Sequence, residues 1–341
     1  WQPMRLLVLL LVTVPAFAQK SKPVEVIAFG SCTRQNAEDQ LWDEILKQKP
    51  QVWIWGGDNI YGDSHDLTVL KKKYDQQKSR AGYQALRSAC AITGTWDDHD
   101  YGVNDGGKFF SRKKESQVLA ADFLDLPQNH PVRQREGLYH AQTFGPKDRQ
   151  VKVINLDTRY FRDTLYREHY FDSVTKNRTY RYLPNASGDV LGEAQWQWLA
   201  EELADEQPRL VILNSSIQVI SEEHRFEKWG NFPRARQRLL DLLSRAKAKR
   251  LLIISGDRHI AEFSELNVPG ISYPLVDFTS SGLTHTWSTP WEEPNRFRSG
   301  PLVIEKNFGL IRMNWQGAQP AVTLEIRGHD GAVYASRSLT F

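Results

Sequence analysis

Short apolar runs recur along the chain, and seven of them are followed directly by a cluster of polar residues. These runs are Val24–Phe29, Val52–Trp55, Ala91–Trp96, Val151–Leu156, Leu210–Leu213, Leu251–Ile254 and Leu275–Phe278. Apolar runs of this length predict buried strands. Because ligands in open α/β sheets bind beyond the carboxyl ends of the strands, the polar clusters predict one shared site.

Amphipathic stretches between these runs predict helices, since their apolar residues recur at helical spacing. The clearest stretches are Asn36–Lys47, Ser111–Leu124, Gly192–Glu206 and Arg234–Ala246. Strands that alternate with helices are typical of an α/β fold. We therefore predict an α/β core.

Two segments depart from this alternation. Tyr160–Gly188 is rich in Tyr, Arg and Asp and has little apolar periodicity, which predicts a long functional loop with an ordered aromatic rim. Beyond Pro301 the pattern becomes β-like. Val322–Ile326 and Val333–Phe341 there flank His329-Asp330-Gly331, which predicts a hairpin turn.

The composition is that of a globular domain. Of the 341 residues, 40% are apolar and 25% are charged, as in soluble globular proteins. This length fits one large catalytic domain or two small ones, and no linker divides the sequence. We therefore predict a single catalytic domain over residues 19–341, and we expect a monomer. A formal charge of +3 gives no reason to expect nucleic acid as an obligatory partner.

The first residues have the pattern of a secretory signal peptide. Arg5 precedes the apolar stretch Leu6–Val14, and Ala16-Phe17-Ala18 forms a small-x-small cleavage site. The apolar stretch is too short to cross a bilayer. We therefore expect residues 1–18 to be removed and the mature chain to be secreted or periplasmic, without a transmembrane segment.

The chain has two cysteines, Cys32 and Cys90. In an oxidising compartment they would form one disulfide. Cys32, however, follows a buried strand among glycine and serine, as a metal ligand would, whereas Cys90 lies at the entry to a strand. The pattern favours a ligand at Cys32 and leaves the disulfide open.

The sharpest motif is Gly56-Gly57-Asp58-Asn59-Ile60-Tyr61. Its glycines permit a tight turn at the strand end, so that Asp58 points into the crevice and Tyr61 returns toward it. A carboxylate and a phenolate together suit a hard, highly charged cation. The alternative is a plain turn in which Asp58 only caps the loop.

A second motif, Trp96-Asp97-Asp98-His99-Asp100, places three carboxylates directly behind an apolar run. On a surface such a cluster is usually only solvated, but behind a strand it favours a metal. Asn104 would add a neutral oxygen ligand, as calcium sites often use. Because converging carboxylates repel one another and lose hydration, the pattern predicts a cation.

Two further clusters add candidate groups. Asp257 follows a strand as a candidate metal ligand, and His259 would bind metal or donate a hydrogen bond to a substrate oxyanion. Arg159 is a natural bidentate partner of a phosphate, or else it holds its loop through an ion pair with an aspartate. The sequence leaves these two roles of Arg159 equally open.

The ordered set Gly-Ser-Cys, Gly-Gly-Asp-Asn-Ile-Tyr-Gly-Asp, Trp-Asp-Asp-His-Asp, Leu-Asp-Thr-Arg and Ser-Gly-Asp-Arg-His resembles the PhoD-like alkaline phosphatase D family. That family is a branch of the metallophosphoesterases. The resemblance runs from about Val24 to the C-terminus, and it implies a four-layer α/β/β/α sandwich. It also implies a ferric ion beside calcium.

The resemblance also implies roles for single residues. The iron ligands would be Cys32, Asp58 and Tyr61. The residues on the calcium side, or bridging to it, would be Asp58, Asp97, Asn104 and Asp257. Asp98 and His99 would lie behind the ligands or face the substrate, and Arg159 and His259 would face the phosphate. Zinc would also accept Cys, Asp and His, so the metal identity stays open.

These observations together predict a secreted, metal-dependent phosphoester hydrolase, an alkaline phosphatase or phosphodiesterase. Metal-activated hydroxide would attack the phosphorus, while Arg159 and His259 stabilise charge on the phosphoryl oxygens or assist the leaving group. One alternative is a phospholipase or nuclease that acts on diesters on the same scaffold, which the basic and aromatic Tyr160–Gly188 segment would suit. Another is a non-catalytic, secreted calcium-binding module, which explains the carboxylates but not Cys32, Arg159 and His259.

Overall fold

A computed structural model describes residues 22–248, 250–287 and 293–341, so the predicted signal peptide lies outside the described residues. The described chain forms two six-stranded sheets and a separate two-stranded hairpin. All seven apolar runs form strands, as predicted. Among the described residues, we find no helix with the length and apolar character needed to span a membrane.

The strands are β1 (Val26–Gly30), β2 (Val52–Gly56), β3 (Ala91–Thr95), β4 (His140–Phe144), β5 (Val151–Asn155), β6 (Tyr166–Asp172), β7 (Asn177–Leu183), β8 (Leu210–Asn214), β9 (Leu251–Ser255), β10 (Ala261–Leu266), β11 (Leu275–Ser280), β12 (Phe308–Gln316), β13 (Gln319–Arg327) and β14 (Val333–Leu339). The α-helices are α1 (Trp42–Lys47), α2 (Leu67–Lys78), α3 (Ala81–Ala89), α4 (Asp98–Tyr101), α5 (Lys113–Phe123), α6 (Glu193–Leu203) and α7 (Pro233–Ser244). Short 3₁₀ turns span Pro131–Arg133, Trp229–Asn231 and His329–Gly331.

The first sheet has the strand order β14-β13-β12-β1-β2-β3, and the second has the order β10-β11-β9-β8-β5-β4. Strands β1, β2 and β3 run parallel to one another, as do β5, β8, β9 and β11. The carboxyl ends of parallel strands share one edge of their sheet. The polar clusters behind these strands therefore gather at that edge.

Successive side chains of each strand point to opposite faces of its sheet. One face of each sheet packs against the other sheet. Phe29 and Ile54 of the first sheet share a buried core with Ile212 and Ile254 of the second. Burial of both faces explains why these strands are nearly continuous apolar runs.

The outer faces of the sheets are covered by helices. Trp53 and Trp55 of β2 pack in one buried cluster with Trp42 of α1 and Tyr83 of α3. Ile253 of β9 belongs to a second buried cluster, together with residues of α6 and α7. These layers make a four-layer α/β/β/α sandwich, which confirms the predicted fold class.

The segment Tyr160–Gly188 is more regular than the sequence suggested. Its middle forms the β6–β7 hairpin, in which Tyr166 pairs with Leu183 and Asp172 pairs with Asn177. Most side chains of both strands are at least partly exposed, so no apolar periodicity marks them.

Both cysteines are free, and the disulfide that the sequence left open is not formed. The Cys90 thiol donates to the carbonyl of Leu86 at 3.4 Å. Cys32 is fully buried at the carboxyl end of β1.

Candidate metal centre

Four carboxylates meet beyond the ends of three strands. Asp58 follows β2, Asp97 and Asp98 follow β3, and Asp257 follows β9, so both sheets contribute. One oxygen from each of the four lies within 4.8 Å of the others. A cation would offset the mutual repulsion of carboxylates that are largely buried and this close together.

Asp58 belongs to two further groups of candidate ligands. It lies with Cys32 and His259 in one group, and with Asp98 and His99 in the other, each within 4.8 Å. Asp58 is therefore common to all three groups. A carboxylate shared in this way is suited to bridge two ions, because each of its oxygens can bind one.

Four of these residues adopt the left-handed backbone conformation that L-amino acids usually avoid. The φ angle is 61° at Cys32, 50° at Asp58, 68° at Asp257 and 56° at His259. Such residues cost energy, and they collect at functional sites where the surrounding fold holds them. Here each lies just beyond a strand, and the turn directs its side chain toward the shared cluster.

Gly57 allows two of the ligand loops to touch. Its φ is 93°, and a Cβ at this position would lie 2.6 Å from the Cβ of Asp97. A larger residue would push the ends of β2 and β3 apart. The glycine therefore brings Asp58 and Asp97 side by side.

Asp100 ties the same two loops together. Its Oδ1 accepts the backbone N–H of Asp97 at 2.6 Å and that of Asp58 at 3.2 Å. Its Oδ2 accepts the side-chain amide of Asn59 at 2.6 Å. Asp100 thus fixes the loops, while its neighbours Asp97 and Asp98 face the cluster.

The two oxygens of Asp97 have different surroundings. Oδ1 accepts Nε of Arg159 at 2.5 Å and the hydroxyl of Ser216 at 2.7 Å. Oδ2 is buried and has no hydrogen-bond partner within the described chain. A buried carboxylate oxygen without a donor is costly, so Oδ2 fits the role of a metal ligand.

Arg159 is fully buried beside Asp97. Its guanidinium also donates to Oε2 of Glu227 at 2.6 Å. These contacts are ion pairs with two acids. Phosphate binding by Arg159 stays a prediction. Arg159 positions Asp97 from behind.

Burial makes these acids hard to ionise without a cation. It raises the pKa of Asp58 and that of Asp97, the latter in spite of Arg159. Burial also raises the pKa of Asp257 to about 7. Each bound cation would offset this cost by favouring the ionised form.

Asp98 of the cluster and the neighbouring His99 shift each other's pKa through their opposite charges. For Asp98 the burial is outweighed by His99 and Arg159, which lower its pKa. For His99 the burial is outweighed by Asp98 and Asp58, which raise its pKa to about 11. The Nδ1 atom of His99 lies 2.7 Å from Oδ1 of Asp63, which fixes the ring.

Three imidazoles surround the phenol of Tyr61. Its Oη lies 3.0 Å from Nε2 of His259 and 3.1 Å from Nε2 of His285, and the His99 ring lies 4.2 Å from the Tyr61 ring. Burial, with nearby Cys32, raises the pKa of Tyr61. Burial lowers the pKa of His259, and it lowers that of His285 to about 4, so both imidazoles are neutral near neutral pH.

Asn104 lies at the border of this arrangement. Its side chain is exposed, and its amide donates to Oδ2 of Asp105 at 2.7 Å. The backbone N–H of Asp105 in turn donates to Oδ2 of Asp98 at 2.6 Å. Calcium ligation by Asn104 stays a prediction.

Two residues of the site, His285 and Glu227, were not predicted from the sequence. His285 lies a few residues beyond Thr279-Ser280-Ser281, and this polar cluster behind an apolar run is the sequence signal that points to its loop. Glu227 lies in a loop between β8 and α7 and belongs to no motif. Its place beside Arg159 is a property of the tertiary structure.

Comparison with known proteins gives a family and a fold. A family model of PhoD-like phosphatases matches residues 27–299. A curated relative, alkaline phosphatase D of Bacillus subtilis (strain 168), is 24% identical over 286 residues. The match covers 72% of this chain and 48% of the relative, so the chain spans about half the length of that protein.

Solved structures share the architecture at low sequence identity. PhoD superposes with a TM-score of 0.67 at 17% identity, covering 94% of this chain and 72% of PhoD. GAP50, the anchor in the inner membrane complex of Plasmodium, gives 0.55 at 12% identity, covering 93% and 89%. A dimetal phosphatase from Danio rerio gives 0.53 at 14% identity, covering 94% and 99%.

These likenesses agree with a metallophosphoesterase-like sandwich. The family match begins within β1 and extends past β11, so it includes every strand end that contributes a carboxylate to the cluster. The chain therefore belongs to the PhoD-like phosphatase family.

Proposed function

We propose that this protein is a metal-dependent phosphoester hydrolase. The observation that carries the proposal is the position of Asp58 within all three groups of candidate ligands. Membership of the PhoD-like phosphatase family supports the same chemistry. A shared carboxylate between two neighbouring ions is the arrangement that two-metal phosphoesterases use.

The donor chemistry differs on the two sides of Asp58. The groups proposed to hold the first ion are Cys32, Asp58, Tyr61 and His259. The groups proposed to hold the second ion are Asp58, Asp97, Asp98 and Asp257, with Asn104 as a further oxygen donor. Sulfur, phenolate and imidazole suit Fe³⁺ or Zn²⁺, whereas carboxylate oxygens suit Ca²⁺.

Bound ions at such a centre polarise phosphoryl oxygens and lower the pKa of coordinated water. The protein supplies the fixed geometry. Arg159 and Ser216 hold Asp97, while Asp63 fixes the ring of His99. His99 is partly exposed, nearby carboxylates raise its pKa to about 11, and it would stabilise charge on the phosphoryl group.

Elemental analysis of natively purified protein tests the proposal together with phosphatase assays. We expect stoichiometric metal in the wild type, with a phenolate-to-ferric charge-transfer band if Tyr61 binds iron. Asp58→Asn should lose bound metal and phosphoester turnover together. Asp75→Asn, an exposed aspartate on α2 that pairs with Lys71, is the matched control and should keep both.

Two outcomes would overturn the proposal. Wild-type turnover by Asp58→Asn protein that lacks metal would exclude the metal-dependent mechanism. Full metal occupancy without turnover on any phosphoester would favour the calcium-binding module instead.

We also propose that residues 19–341 form the mature catalytic domain, and that it acts as a secreted or periplasmic monomer. The signal-peptide pattern of the sequence supports the location. Cell fractionation with N-terminal sequencing tests the export and the cleavage after Ala18. Light scattering of the purified protein tests the monomer.

A further inference from the structure

A cavity of about 420 Å³ is lined by the β6–β7 hairpin and by the loop between β8 and α7. Tyr170 and Tyr182 line it from the hairpin, and His224 and Lys228 line it from the loop. Among the described residues that line this cavity, none is a proposed metal ligand. Any ligand of the cavity is therefore held by groups other than those of the metal centre.

Lys228 buries a positive charge in the wall of this cavity. Its side chain is almost fully buried, and its Nζ donates to the carbonyl of Phe226 at 2.9 Å. Within the described chain no carboxylate pairs with this ammonium group, so two of its three N–H groups have no acceptor there. Burial lowers the pKa of Lys228 to about 8, so the amine is still largely protonated at neutral pH. A buried cation without an acid beside it is costly, and a bound anion would offset that cost.

His224 offers a hydrogen-bond acceptor that the protein itself does not use. The side-chain amide nitrogen of Gln218 donates to Oε1 of Glu262 and to the hydroxyl of Thr279, both at 2.8 Å. The amide oxygen of Gln218 is therefore the atom that accepts Nε2–H of His224, at 2.9 Å. Burial lowers the pKa of His224, so the ring is neutral and its Nδ1 carries a lone pair. This Nδ1 is buried and has no hydrogen-bond partner within the described chain.

The acids that line the same cavity are already engaged. Glu222 pairs with Arg236 at 3.2 Å, and Glu223 pairs with Arg296 at 4.0 Å. Asp172 accepts a backbone N–H of its own turn at 2.8 Å. The buried lysine has no such partner, so the cavity favours an anion over a cation.

The two groups together define what this anion must carry. It must bring acceptor oxygens to the ammonium group and a hydrogen-bond donor to the imidazole. Hydrogen phosphate does both, because it is negatively charged and still holds one proton near neutral pH. Sulfate has a similar shape but no proton at this pH, so it would place an oxygen lone pair against that of the imidazole.

We propose that this cavity binds a small oxyanion that retains a proton, of which hydrogen phosphate is the simplest. Lys228 donates to its charged oxygens, and Nδ1 of His224 accepts its hydroxyl group. The inference goes beyond the hydrolase function proposed above and does not require it. Inorganic phosphate is also the product of that proposed reaction, so the test must separate the cavity from the metal centre.

Asp58→Asn protein separates the two sites, because it should lack the metal that would hold phosphate at the centre. Equilibrium dialysis of this variant with radiolabelled inorganic phosphate should show one bound phosphate per chain. Sulfate should compete about tenfold more weakly than unlabelled phosphate, because it leaves the buried imidazole nitrogen without a donor. Addition of Lys228→Met to Asp58→Asn should weaken phosphate binding by about tenfold or more, since methionine fills similar space without the charge.

Lys72→Met in the same Asp58→Asn background is the matched control, because Lys72 is exposed on α2 and does not line the cavity. It should bind phosphate as tightly as Asp58→Asn alone. The comparison of phosphate with sulfate needs no substitution in the cavity, so it tests the proposal even if Lys228→Met fails to fold.

Three results would overturn the cavity proposal. They are no phosphate bound by Asp58→Asn protein, unchanged binding after Lys228→Met, and equal competition by sulfate. None of these measurements depends on turnover. Loss of the hydrolase function would therefore leave this test standing, and failure of the cavity to bind phosphate would leave the hydrolase proposal intact.

Discussion

At the scale of single residues, the buried guanidinium of Arg159 holds the carboxylate of Asp97 in place. Its guanidinium lies between the carboxylates of Asp97 and Glu227. Removal of one partner from a buried ion pair leaves an uncompensated charge and costs about 3–5 kcal/mol. We expect Arg159→Gln to lower the free energy of unfolding by about this amount, measured by urea denaturation of metal-free protein.

Arg178→Gln is the control for this measurement, because Arg178 is exposed on the hairpin. Its substitution should change the free energy of unfolding by no more than about 0.5 kcal/mol. If Arg159→Gln behaved like Arg178→Gln, the ion pair would not hold Asp97 in place.

The contrast between Asp58 and Arg159 shows what the sequence can reveal at this scale. Asp58 was predicted as a ligand because a strand and two glycines precede it. The partner of Arg159 was not predictable, since Glu227 lies 68 residues further along the chain in a loop without a motif. The left-handed backbone at Cys32 and Asp58 was equally hidden, because the tertiary structure imposes it against the local preference of those residues.

At the scale of elements, the packing of β3 against β4 and β5 depends on a neutral histidine. His140 donates Nδ1–H to the carbonyl of Leu138 at 2.9 Å, and its Nε2 lies 3.3 Å from the amide nitrogen of Asn155. The amide can only donate, so Nε2 must accept. Burial accordingly lowers the pKa of His140 to about 4.

This histidine predicts a pH dependence of stability. Its ordinary pKa is 6.5, so between pH 6.5 and about 4 the unfolded chain binds more protons than the folded one. Stability therefore falls as the pH falls through this window, by about 3 kcal/mol in total from His140. His140→Gln does not titrate, and its unfolding free energy should decline less steeply than that of the wild type over the same range.

His169→Gln provides the comparison, because His169 is exposed on the hairpin. The free energy of unfolding of His169→Gln should change with pH as steeply as that of the wild type. Parallel pH profiles for His140→Gln and the wild type would show that His140 is not held neutral.

The difference between buried and exposed side chains also explains which elements could be predicted from the sequence. The seven strand predictions succeeded because the sheets bury both faces of most of these strands, which leaves an apolar run in the sequence. The β6–β7 hairpin left no such signal, since its side chains are largely exposed and its pairing depends on backbone hydrogen bonds. Helix α1 was predicted to begin near Asn36 but begins at Trp42, where the apolar face first meets the sheet.

At the scale of the whole molecule, the centre lies where loops from the two sheets meet. A Cβ at Gly256 would lie 3.0 Å from the carbonyl oxygen of Gly56, so the loops after β9 and β2 are in contact. Asp58 and Asp257 come from these two loops and repel each other when both are charged. Metal binding should therefore stabilise the sandwich itself, because an ion that binds only the folded state raises its stability.

This coupling predicts that Asp58→Asn changes the stability of the protein in opposite directions with and without metal. Removal of metal with a chelator should lower the melting temperature of the wild type by several degrees, and readdition should restore it. With metal in the buffer, Asp58→Asn should be less stable than the wild type, because it does not hold the metal that stabilises the wild type. In chelated protein Asp58→Asn should be more stable, since it removes an acid whose ionisation is opposed by burial and by the nearby carboxylates Asp97, Asp98 and Asp257. Scanning calorimetry with and without metal measures this change of sign, and Asp75→Asn is the exposed control. If Asp58→Asn shifted the melting temperature in the same direction with and without metal, no ion would compensate the cluster.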